Sequence, residues 1–108
     1  MAIIQIADNF VNTAVDTVEL IYTASASEAV VIESFTAANN SIVNASYKAY
    51  IVSAAGPEFP QRPFKVVVWG ENDLGIGIVN QVIPAGGQLK VESSALSSIY
   101  FTATGRQV

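Results

Sequence analysis

The carboxylates Glu71 and Asp73, with Glu58 upstream, are the side chains whose type and spacing come nearest to chemistry in this sequence. Two carboxylates in a glycine-bearing loop, residues 70–77, offer the hard oxygen ligands that Ca²⁺ takes. Their spacing fits no complete EF-hand-type loop, and a solvated loop tip accounts for them without a metal. A carboxylate pair also raises glycoside hydrolysis, but that reaction needs a cleft that a chain of 108 residues rarely provides. Serines and threonines are plentiful, yet the chain has no His and no Cys to activate them or to act as nucleophile. Neither a G-x-S-x-G nor a Walker A pattern occurs, and Gly75-Ile76-Gly77 lacks the third glycine and following helix of a nucleotide-binding turn. No catalytic residue, metal ligand or cofactor is expected, and the chain is not expected to be an enzyme.

Binding through aromatic rings is the next possibility. Trp69, Phe64, Tyr47 and Tyr50 could form a flat sugar-stacking face. Aromatic residues on strands more often fill a core or a subunit interface, and that reading is preferred. Two N-x-S tripeptides, at 39–41 and 44–46, match the glycosylation acceptor but carry little weight without a secretion signal.

The elements that would position these residues read as strands. Apolar side chains recur with a period of two, and Val, Ile, Thr, Tyr and Phe are abundant. Strands are predicted over 3–6, 17–23, 29–37, 44–53, 64–69, 78–83, 89–92 and 99–104, with Asp8-Asn9 ending the first. In 17–23, Val18, Leu20 and Tyr22 share a face. In 44–53, Ala45, Tyr47, Ala49 and Ile51 lie opposite Ser46, Lys48, Tyr50 and Val52. In the last strand, Ile99, Phe101 and Ala103 lie opposite Tyr100 and Thr102. Asn39-Asn40-Ser41 and Pro84-Ala85-Gly86-Gly87 are turn signals. Residues 54–63 hold Pro57, Pro60 and Pro63 and cannot form a central strand. About eight short strands at this spacing predict a single all-β domain over residues 1–108: an antiparallel two-sheet sandwich, jelly-roll-like. Leu20, Ile32, Ile51, Val67 and Phe101 are the expected core.

Composition narrows the partners. Hydrophobic residues make up 51% and charged residues 13%, about half the usual charged share. The net charge of -4 and the scattered cations Lys48, Arg62, Lys65, Lys90 and Arg106 argue against nucleic acid. No apolar run approaches the ~20 residues of a membrane span. The start, Met1 to Ile6, lacks the basic and apolar regions of a signal peptide, so neither membrane nor secretion is expected.

Several stretches together resemble the small β-sandwich virion proteins of tailed bacteriophages. They are TVELIYTA at 17–24, AVVIESFTAANNS at 29–41, SYKAYIVSAAG at 46–56, NQVIPAGGQLKV at 80–91 and IYFTATGRQV at 99–108. The resemblance implies a structural role in the virion, assembled in the host cytoplasm: capsid decoration (cement), or a neck or tail position. It carries no catalytic residues. A carbohydrate- or receptor-binding module is the alternative.

Sparse charge implies that part of the surface is covered by other chains. The expected partners are further copies of the chain and other virion proteins, above all the major capsid protein. Large groups on both faces of 44–53 suggest that Tyr50 meets a neighbour. Residues 1–10 are expected as an extended N-terminal arm or strand, placing Ile3, Ile4 and Phe10 at an interface. Phe59, preset between prolines, is the fifth expected contact.

Overall fold

The computed structural model describes residues 3–53, 64–68, 72–73 and 77–108, and within them the chain is all β. Nine strands run in order: β1 (Ile3–Val11), β2 (Glu19–Thr23), β3 (Val30–Asn39), β4 (Ala45–Val52), β5 (Phe64–Val68), β6 (Asn72–Asp73), β7 (Val82–Ile83), β8 (Gln88–Ser93) and β9 (Ile99–Gln107). They form two antiparallel sheets. One has the order β1-β9-β3-β6, with β7 also on β3, and the other β2-β8-β4-β5.

The pairings are nested. β1 pairs with β9, β2 with β8, β3 with β6 and β4 with β5, so the first half of the chain runs back along the second. The β3–β9 and β4–β8 pairings then join the ends of this long ribbon into two layers. Strands that lie beside each other in a sheet are therefore mostly distant in sequence.

Alternation explains the layers. Ala45, Tyr47, Ala49 and Ile51 of β4 and Ile99, Phe101 and Ala103 of β9 all enter one core cluster, on the faces the sequence predicts. Phe35, Tyr47 and Phe101 meet at its centre with ring centroids 5.3–5.9 Å apart. The predicted core residues Ile32, Ile51 and Phe101 are buried. The side chain of Val67 lies outside the described residues.

Bulges adjust the pattern where it would fail. In β3 the apolar positions change parity, from Val30 and Ile32 to Phe35 and Ala37. An irregularity between Ile32 and Ser34 leaves Glu33 and Ser34 both outside and keeps each apolar set on the core side.

Three expectations are corrected. Leu20 is 47% exposed, because a bulge between Leu20 and Tyr22 turns Ile21 and Tyr22 toward the core instead. Asp8-Asn9 does not end the first strand. Asn9 takes a left-handed conformation (φ 54°) at a bulge and β1 continues to Val11. Residues 1–10, expected as an arm or strand, form a strand over the described part, where Ile3–Val11 pairs with β9 inside its own sheet. The strand expected over 78–83 shrinks to Val82–Ile83, because Asn80 (φ 70°) closes a turn whose amide donates to Ile32 O.

Candidate interaction surface

The sandwich has two ends. The loops β1–β2 (12–18), β3–β4 (40–44) and β8–β9 (94–98) gather at one of them, because Val11 pairs with Tyr100 and Asn39 with Ile99. Four aliphatic side chains stand out there: Val15, Ile42, Val43 and Leu96. Ile42 is 90% exposed, the highest among the exposed large hydrophobic residues. Across these three loops Asp16 is the only charged residue.

Buried polar groups hold these loops in place. Asn39 is the corner post. Its Oδ1 accepts from the Ser41 amide (2.9 Å), the Ser41 hydroxyl (2.9 Å) and the Ser98 hydroxyl (2.7 Å), and its Nδ2 donates to Val43 O (2.9 Å). The Asn40 amide donates to Ser98 O, which ties the β3–β4 loop to the β8–β9 loop. Asn and Ser bond neighbouring backbone in this way because their short polar chains mimic a turn of backbone.

The β1–β2 loop is organised by one carboxylate. Glu19 accepts from the amides of Thr13 (2.9 Å) and Ala14 (3.1 Å), from the Thr13 hydroxyl (3.0 Å) and from Asn12 Nδ2 (3.2 Å). Desolvation pushes the Glu19 carboxyl up, but the Thr13 and Asn12 side chains and the Ala14 and Thr13 amides outweigh it and hold it below its ordinary value. The Asp16 amide donates to Ser93 O at 2.8 Å, anchoring the loop on β8.

Beside this end, Asp16, Ser46, Lys48, Glu92 and Ser94 line an open polar cleft of about 80 Å³. That is well below the several hundred Å³ of an ordinary ligand pocket. Lys48 and Glu92 face each other in register across β4 and β8. The cleft offers carboxylates, an ammonium and hydroxyls.

Of the expected carboxylates only Asp73 lies among the described residues. Asp73 accepts from Tyr47 Oη, while Glu58, Glu71, Gly75 and Trp69 lie outside the described residues. Among the described residues no group of three or more potential ligands is placed to hold a metal ion. Of the expected contacts, Ile3 is 73% exposed, whereas Ile4 and Phe10 are half-buried against the core and Phe59 lies outside the described residues. Tyr50, also expected as a contact, is only 6% exposed within the chain itself, and its hydroxyl donates to Glu92 Oε1 (3.1 Å).

Val15, Ile42, Val43 and Leu96 were not expected as contacts. A signal was present for Ile42 and Val43, which sit between Asn39-Asn40-Ser41 and Asn44. Apolar residues inside a strong turn have no core to enter.

Compared with protein-family models, curated proteins and solved structures, the chain matches none.

Proposed function

We propose that this chain is a structural protein of a tailed-phage virion, a capsid decoration protein that docks on the shell through its loop end. The observation that carries the reading is the set of aliphatic side chains on loops 12–18, 40–44 and 94–98, fully exposed at Ile42 yet fixed by the Asn39, Ser98 and Glu19 hydrogen bonds. A surface ordered before binding loses little further entropy when it docks, so its apolar burial appears as affinity. Partners in this reading are the major capsid protein and further copies of the chain, in particles assembled in the host cytoplasm.

The topology supports the same reading. With the two-residue β7 set aside, the remaining eight strands order 1-8-3-6 over 2-7-4-5. We read this as a jelly roll, the architecture shared by many capsid-associated and lectin domains. The lectin alternative loses ground because Tyr47 and Tyr50, half of the expected aromatic platform, are buried.

The experiment adds purified protein to undecorated shells of the phage that encodes it and follows co-sedimentation. Saturable binding is expected, and it should be lost in Ile42→Asp/Leu96→Asp while the circular dichroism spectrum stays that of the parent. Absence of binding by the parent protein defeats the decoration reading; binding to tail tubes in the same assay moves the role to the tail.

A further inference from the structure

The exposed apolar residues do not lie only at the loop end. In the β1-β9-β3 sheet, Ile3 pairs with Arg106, Arg106 with Val31 and Val31 with Val82. Directly paired residues of antiparallel strands project to the same face. Val30, Ile32, Ile83 and Gly105 are buried, so the row Ile3–Arg106–Val31–Val82 crosses the outer face. Val108, two residues beyond Arg106, is also exposed. The row carries one ion pair, Arg106 Nε to Glu33 Oε2 at 3.3 Å, half open to solvent. An apolar stripe set around an arginine has the composition of an interface core.

We propose that this outer sheet face is a two-fold contact between two copies of the chain. The pair of opposite charges selects a second copy as occupant. About a two-fold axis, the same patch meets itself, so Arg106 of each copy faces Glu33 of the other while Ile3, Val31, Val82 and Val108 close around them. A patch bearing both signs side by side is complementary to itself. A nucleic acid or anionic lipid surface would find Glu33 beside Arg106, and the loop end of another copy, with Asp16 the one charge of its three loops, would leave Glu33 unanswered. The two sheets would stack face to face, as sandwich layers do.

The inference rests on the assembly reading above and adds a surface and a symmetry, but its test needs no shells. Sedimentation equilibrium of the full chain from micromolar to millimolar concentration should show monomer passing to dimer. Arg106→Glu places like charges across the axis and should weaken the dimer by about tenfold or more. The exchange Arg106→Glu/Glu33→Arg should restore it. Val82→Lys, at an exposed position that leaves the core intact, should also dissociate the dimer. A parent chain that stays monomeric throughout overturns the proposal, as does a dimer unaffected by Arg106→Glu and Val82→Lys. Shell binding by the Val82→Lys monomer separates the two ideas. If it binds shells, the decoration reading stands whichever way the dimer test falls.

Discussion

Tyr47 on β4 donates its hydroxyl to Asp73 Oδ2 on β6 at 2.6 Å, and so joins the two sheets by a short, charge-assisted hydrogen bond. The ring of the same tyrosine fills the core between Phe35 and Phe101. One residue thus serves both packing and inter-sheet registry. Burial, and then the Asp73 carboxylate, push the phenol well above its ordinary value.

The first prediction concerns this bond. Tyr47→Phe keeps the ring and removes the hydrogen-bond donor to Asp73. It should cost about 1.5–3 kcal/mol in urea unfolding, the range for hydrogen bonds to charged groups. The pH dependence follows the raised phenol. Its contribution is complete below the unfolded-state value near 10 and declines as pH rises past it, because the unfolded chain then loses a proton that the folded chain retains. Stability measured from pH 9 to 11 should fall in the parent and fall less steeply in Tyr47→Phe.

Acid should act at the other carboxylate site. Glu19 is held below its ordinary value, so the stability it contributes is present above about pH 4.5 and is lost as pH falls through the lower folded value. The change should be local. Protection of the Thr13 and Ala14 amides, measured against their intrinsic exchange rates, should fall on acidification before the core amides respond. Glu19→Gln should show fast exchange at both positions already at pH 7. Equal protection in parent and variant would remove Glu19 as organiser of the loop.

Gly105 lies where β9 is flanked by β1 and β3. A Cβ there would stand 2.6 Å from Val31 O, 2.7 Å from Ile6 Cδ1 and 2.8 Å from Val30 Cγ1. The carbonyl belongs to the β3 backbone and cannot rotate away. Gly105→Ala should therefore destabilise by about 1–3 kcal/mol, as overpacking does. A denaturation midpoint equal to the parent's would show that the strands separate there more easily than the packing implies.

Phe101 and Leu20 make a contrast that tests the assignment of faces. Phe101→Ala empties the centre of the aromatic cluster and should cost about 3–5 kcal/mol. Leu20→Ala, on a strand position turned outward by a bulge, should stay within about 0.5 kcal/mol. A loss at Leu20 comparable to that at Phe101 would return Leu20 to the core.

Alternation by itself determined the all-β class, the core faces of β4 and β9 and the sharp turn at residues 84–87. Those features depend on neighbours along the chain. The turn shows it plainly: Gly86 takes φ 74° and the Gly87 amide returns to Pro84 O at 2.7 Å, as a type II turn with glycine third requires. The bulges were only half visible. A change of parity from Ile32 to Phe35 can be read from residue types, but the bulge that exposes Leu20 depends on how β2 pairs with β8. Burial of Tyr50 was beyond local reading, since alternation separates two faces of a strand without saying what lies over the outer one. The tertiary structure alone decided which loops meet. Val15, Ile42 and Leu96 are far apart in the chain, and they share one end because strands distant in sequence pair side by side. The row from Ile3 through Arg106 and Val31 to Val82 has the same origin. Periodicity records which side chains point together along one strand, whereas a surface patch is built across strands, and its composition follows from registers that only the folded sheets fix.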